Sequence, residues 1–188
     1  MTVASELAAF LTAQNNSDIP AQATEHAQML VASTIASAAM GTTIESSQIV
    51  RALETERGGV PQATTWFGAC ERLPAAAAAR INAVMSDAAA SDDSDLRNII
   101  HTGTPVCASA LAIGELTHAS GADVLAAIVL GVEAAGRINN AMQNYRGDKV
   151  YAVALLAKWR EPRALPGFVR WLSLSGEQPF DIGGDTVT

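Results

Sequence analysis

Positive charge is scarce in this 188-residue chain: 12 Lys and Arg stand against 19 Asp and Glu, a formal net charge of -7 at pH 7. Binding to nucleic-acid phosphates needs a basic stripe, and this set supplies none, so nucleic acid is not an expected partner. Aromatic residues are scarce too, at 5%, although 49% of the chain is hydrophobic. The interior must therefore be built from alanine and small aliphatic side chains packed at close range. That favours helices over strands, because alanine has the highest helix propensity and lacks the β-branching that suits a pleated surface. No run reaches the ~20 apolar residues of a membrane span. Even VLAAIVLGVEAAGRI is interrupted by Glu133 and Arg137. The opening MTVASELAAFLTAQNN lacks a basic n-region, so no secretory signal is expected and the chain reads as soluble and cytoplasmic, with no membrane partner. Cysteine is limited to Cys70 and Cys107, without a C-x-x-C spacing, which predicts two buried reduced thiols. The three histidines, at 26, 101 and 118, do not cluster, so no metal site is expected. No G-x-G-x-x-G follows a strand and no Walker loop is present, so no cofactor is expected either.

What is present is a series of helical segments. Residues 4–14 have helical period, and NNSDIP ends that element before Pro20 starts the next. Residues 21–40 are small or apolar almost throughout, which predicts a helix buried on most sides and capped by Gly41. TTIESSQIVRALETERGG sets Ile44, Ile49, Val50 and Leu53 on one face, predicting an amphipathic surface helix that stops at the glycine pair. VPQATTWFG reads as a short extended connector, and residues 72–90 as an alanine-rich helix. Pro105 marks the start of a further helix. Ser120-Gly121 breaks the chain before the longest helix, ADVLAAIVLGVEAAGRINNAMQNY, and a last helix is predicted over 149–158. The expected fold is all-α: a compact helical bundle over 1–160, then an irregular C-terminal segment, 161–188, disordered from about Gly183. Phe168, Val169, Trp171, Leu172 and Leu174 in that segment are costly to leave in water, so docking on another surface is expected there.

The order of SELAAFLTAQNNSDIP, GGVPQATTWFG, HTGTPVCASALAIGEL and SGADVLAAIVLGVEAAGRI resembles the helical domain of the MmgE/PrpD family over residues 5 to 140. That family includes methylcitrate dehydratase, cis-aconitate decarboxylase and iminodisuccinate epimerase. Its loop between two central helices reads approximately Asp-Phe-Asp-Asp-Thr, then several residues, then His-Pro. The resemblance places the two later aspartates on Asp92 and Asp93, the threonine on Ser94 and the histidine on His101. The first aspartate falls on Ala90, and Thr102 stands where the family has proline, with Gly103 retained. After GRINNAMQNYRG the family runs through a Gly-x-His-Pro-Thr turn into a mixed α/β domain, whereas this sequence continues as DKVYAVALLAKW. The resemblance therefore implies the helical domain without that second domain.

His101 is the titratable base in this loop whose ordinary pKa, about 6.5, suits proton transfer near neutrality; its other reading is a helix-terminal side chain bonded to a carbonyl. Asp92 and Asp93 are expected to orient it or to bind a polar substrate group, the alternative being an ordinary solvated loop with Ser94. Asp95 reads as a helix cap, His118 as a dipole partner or cap, and Glu115 as a helix-surface residue. Glu133 and Arg137, four apart in an apolar helix, read as a buried facing pair. Tyr145, Lys149 and Tyr151 offer phenols and an amine to a substrate cleft, or form the polar face of a helix. A loop without its first carboxylate suits an enzyme that positions a mostly apolar, polyketide-like intermediate for cyclisation or isomerisation. The alternatives are a dehydratase, decarboxylase or epimerase working with a partner chain, and a non-catalytic helical interaction module. A small-molecule substrate and a homodimer complete the expectation.

Overall fold

Helices dominate, as an alanine-rich and aromatic-poor composition dictates. The structure, a computed structural model, describes residues 3–95, 100–143, 180–182 and 185–187. Contacts divide the chain into two units, one of Asn15–Glu133 and the other of Met1–Gln14 with Ala134–Thr188. The second unit holds α1 (Val3–Ala13) and an antiparallel pair, β3 (Phe180–Ile182) with β4 (Asp185–Val187), in which Phe180 faces Val187. This pair lies in the segment without helical period, and it reaches past Gly183. The helix expected over 149–158 and the apolar cluster from Phe168 to Leu174 lie outside the described residues.

The unit Asn15–Glu133 begins with a single 3-10 turn, Asn16–Asp18, and continues through α2 (Ala21–Gly41) and α3 (Glu45–Arg57). A two-stranded antiparallel ribbon follows, β1 (Ala63–Thr64) with β2 (Arg72–Leu73), then α4 (Ala75–Ala88) and α5 (Gly103–Thr117). The helix α6 (Gly121–Gln143) starts in this unit. Its first turn is fixed by Ser120, whose hydroxyl accepts the Asp123 N–H at 3.2 Å. The Asn16 amide and the Ser120 hydroxyl both donate to the Asp123 carboxylate at 2.7 Å and hold its pKa below the ordinary value. No single described helix is long and apolar enough to cross a membrane.

α4 is the element on which α2, α3, α5 and the ribbon pack. Ala77, Ile81 and Met85 on one side meet Ala38 of α2, Leu73 of the ribbon and the half-buried Val50, Trp66 and Phe67. Ala75 and Ala78 on another side meet Ala63 and Ala112. A third cluster joins Ala27 of α2, Cys107 of α5 and Ile128 of α6. Such small side chains fill a core only if the helix backbones come close, and Gly41 shows how close: a Cβ there would overlap the Met85 carbonyl. Its role is this approach, rather than the cap predicted from sequence.

Other expectations are corrected by the same packing. α2 buries one side, through Ala27, Thr34, Ser37, Ala38 and Gly41, while Met29 and Met40 are exposed. α3 turns Ile49 and Leu53 outward and Ser47, Val50 and Glu54 inward, because polar contacts set its rotation. Glu54 is paired with Arg57 at 2.9 Å and with Arg80 of α4. Arg51 donates to the Phe67 carbonyl and, at 3.3 Å, to the Met85 sulfur. The connector is a paired ribbon, and the helix after it starts at Ala75 because Arg72 and Leu73 belong to β2. Glu115 is no free surface group either. It accepts the Thr64 hydroxyl at 2.7 Å and the Thr64 N–H at 3.1 Å, tying the ribbon to α5. Asn82 ties it to α4, accepting the Trp66 N–H at 2.9 Å and donating to the Thr64 carbonyl at 3.0 Å. Glu133 and Arg137 are both exposed, so the cost of burying a charge pair does not arise.

Candidate functional site

The loop from α4 to α5 is anchored before its acidic residues begin. α4 ends at Ala88, and Ala90 takes a left-handed backbone (φ 50), a conformation that costs a non-glycine residue about 1–2 kcal/mol. Two serines hold the chain in that turn. Ser91 bonds to Ser37 of α2 at 2.7 Å, and Ser37 donates at 2.6 Å to the Ser86 carbonyl of α4. The loop thus starts from a fixed point between two helices. It regains backbone pairing at Asp95, whose N–H donates to the Ile100 carbonyl at 2.9 Å in an isolated antiparallel bridge. Thr102, not Asp95, is the cap residue of α5.

Between those anchors the structure brings Asp92 and His101 together. Nδ1 of His101 lies 3.1 Å from Oδ2 of Asp92; the carboxylate side chain is only 3% exposed and the imidazole 54%. A carboxylate only accepts, so the tautomer that suits this contact carries its proton on Nδ1 and its lone pair on Nε2. The same Oδ2 accepts the Thr104 hydroxyl at 3.2 Å, and the Thr104 oxygen lies 3.1 Å from that of Ser86. The carboxylate also sits beside the first turn of α5, where the helix dipole favours negative charge. A half-exposed imidazole with Nδ1 beside a buried carboxylate is equipped to take up or release a proton.

Asp93 is placed differently from its neighbour. Its Oδ1 is buried without a hydrogen bond and packs against Gly103, where a Cβ would overlap it. The retained glycine therefore makes room for this side chain. Nearby lies Cys107, whose thiol is pushed up to about 11 by burial; the Thr34 hydroxyl works against that shift and the charge of Asp93 adds to it. Ser94 is exposed. Tyr145, Lys149 and Tyr151 lie outside the described residues. His118 closes α5 in a left-handed conformation (φ 54), its N–H bonded to the Glu115 carbonyl at 3.4 Å. Cys70 is exposed, contrary to expectation, because the ribbon's loop carries it outward at φ 49. Among the described residues no three His, Cys, Asp or Glu side chains are gathered as a metal site.

Thr104 and Ser86 are the site residues that sequence reasoning missed. The available signal was Ser86 itself, a hydroxyl four residues after Asn82 on the inward face of an alanine-rich helix.

Because the Cys107 thiol is raised in the folded state, its contribution to stability is fully present below the ordinary value of 9.0 and is lost as pH climbs towards about 11. Denaturant midpoints should therefore fall between pH 9.0 and 11 in the parent protein, and less steeply in Cys107→Ala. Equal slopes would mean that the thiol is not desolvated.

The model of the MmgE/PrpD N-terminal domain matches residues 5–157, and that of a domain of unknown function, DUF1186, matches residues 133–188. The chain matches no curated protein and no solved structure. Members of the first family are enzymes, and the match relates the chain to its dehydratases. With that domain covering most of its length, and with the helical fold described above, the chain belongs to the MmgE/PrpD family.

Proposed function

We propose that the chain is a proton-transfer enzyme, a lyase or isomerase in which His101 is the acid/base and Asp92 orients it. The single observation that carries this reading is the 3.1 Å contact between the exposed imidazole and the buried carboxylate. In the proposed step Nε2 takes a proton from a carbon next to a carbonyl or carboxylate. The electron pair of the broken C–H bond passes toward that group, or expels a leaving group from the neighbouring carbon. The imidazolium is stabilised through Nδ1 by Asp92, and it returns its proton to the leaving group or to the carbon.

Cyclisation or isomerisation of an apolar, polyketide-like intermediate would use the same proton movement. No described feature supports it separately, however. An open depression lined in part by Thr42, Gln48, Arg51 and Glu71 includes neither Asp92 nor His101. The family relation favours a small-molecule substrate bearing a carbonyl or carboxylate. Ser94, an exposed hydroxyl two residues after Asp92, is assigned to substrate contact together with Tyr145, Lys149 and Tyr151.

The chain is proposed to work as a homodimer, supported by the large apolar side chains left in water: Met29 58%, Met40 66% and Ile49 60% exposed. Sedimentation at micromolar concentration should give twice the 19.5 kDa chain mass, and a clean monomer would remove this part of the reading.

Replacing His101 with alanine in the source organism should make the substrate accumulate, with turnover lowered on the order of 10²–10⁴-fold. Unfolding stability should fall by no more than about 1–3 kcal/mol, the cost of leaving the buried Asp92 carboxylate one partner short, and the fold should be kept. The mass difference between accumulated and lost compound identifies the reaction: none for isomerisation or cyclisation, one water or one carbon dioxide for elimination. Metabolite levels identical to those of the parent strain would rule out His101 as the acid/base.

A further inference from the structure

The imidazole of His101 is too exposed to fix its own orientation, and Asp92 alone does not fix it either. A carboxylate turns easily about χ2, whose energy profile is broad and roughly two-fold. What holds Oδ2 in place is a second donor. Thr104 reaches it at 3.2 Å from the first turn of α5, and Thr104 is itself 5% exposed. A hydroxyl has one proton, and here it is committed to the carboxylate, so the 3.1 Å contact with Ser86 must run from the Ser86 hydroxyl to the Thr104 oxygen. Ser86 is fully buried, and its carbonyl is fixed by Ser37 at 2.6 Å. The bonds therefore have one direction, Ser86 to Thr104 to Asp92, and they end on the oxygen that lies 3.1 Å from His101 Nδ1. Each link is hidden from water except the last.

We infer that Thr104, backed by Ser86, is the positioning residue of the site: it locks Asp92 so that His101 keeps its proton on Nδ1 and presents a free Nε2. The inference rests on the proposed role of His101 but concerns a different observable, the tautomer of the ring. Thr104 touches neither substrate nor imidazole and acts only through Asp92. A threonine serving merely to fill space would be replaceable by valine, which has nearly its shape and no proton to give.

The test is nitrogen-15 NMR of the histidine rings in the full-length protein above the pH at which the imidazole is protonated. In the parent chain His101 should be a single Nδ1–H tautomer. Thr104→Val should shift it towards the mixture of an unconstrained imidazole, and Thr104→Ser, which keeps the hydroxyl, should restore the parent spectrum. Where turnover is measurable, Thr104→Val should lower kcat about tenfold or more with KM little changed, since binding contacts are untouched. An unchanged ring spectrum in Thr104→Val, or a Thr104→Ser spectrum matching that of Thr104→Val, overturns the inference. Should Thr104→Val not fold, Thr104→Ala removes the hydroxyl without adding an apolar atom and is read by the same two outcomes. A shifted tautomer in Thr104→Val, combined with full turnover in His101→Ala, would leave the positioning role standing and remove the catalytic one.

Discussion

A carboxylate with a 3% exposed side chain must be held by hydrogen bonds, and the surroundings of Asp92 supply them. One partner, a hydroxyl donor, comes from α5 through Thr104; the other is the His101 imidazole at the loop's far end, 3.1 Å away. The N-terminus of α5 adds a favourable dipole. Removing either partner would leave a buried charge underpaired, a loss usually larger than the net worth of the bond itself. Structure and chemistry thus meet in one group: what keeps the loop folded over α5 also aims the imidazole.

That arrangement depends on helices brought together by small residues. Gly41 admits the Met85 carbonyl, Ala38 packs on α4, and at this spacing short hydroxyl side chains span the gap between helices. Ser37 can reach both the Ser86 carbonyl and the Ser91 hydroxyl because Gly41 and Ala38 of α2 let its backbone approach α4 closely. The ribbon is secured by single side chains in the same way: Asn82 serves one backbone donor and one backbone acceptor, and Glu115 accepts from the Thr64 N–H and hydroxyl. Longer side chains at those positions would hold the helices too far apart for the hydroxyl chain to close.

Local signals in the sequence were sufficient for the helices. The stop at Gly58, with its φ of 61, the break at Ser120-Gly121 and Pro105 in the first turn of α5 are each decided by neighbouring backbone. The loop resemblance likewise brought Asp92 and His101 forward together. Contacts between distant parts of the chain were not legible. Periodicity placed Ile49 and Leu53 inward on α3, whereas Arg51 and Glu54 found partners on the ribbon and α4 and turned the helix the other way. Glu115 looked like surface until a strand over fifty residues earlier was laid against it. Asp92 and Asp93 are indistinguishable as letters, yet Gly103 makes room for one while Thr104 and His101 receive the other. Such choices are made by packing, after the helices have formed.

The central claim is that Asp92 and His101 act as one unit, and a double-mutant cycle tests it without reference to any substrate. Unfolding free energies at neutral pH would be measured for the parent chain, Asp92→Asn, His101→Gln and the double variant. A coupling of about 0.5 kcal/mol or more between the two sites is the expected result, because the imidazole lies 3.1 Å from a buried carboxylate oxygen. Effects that add to within about 0.3 kcal/mol would mean that the imidazole is not held by Asp92, and the assignment of this loop as an acid/base site would fail with it.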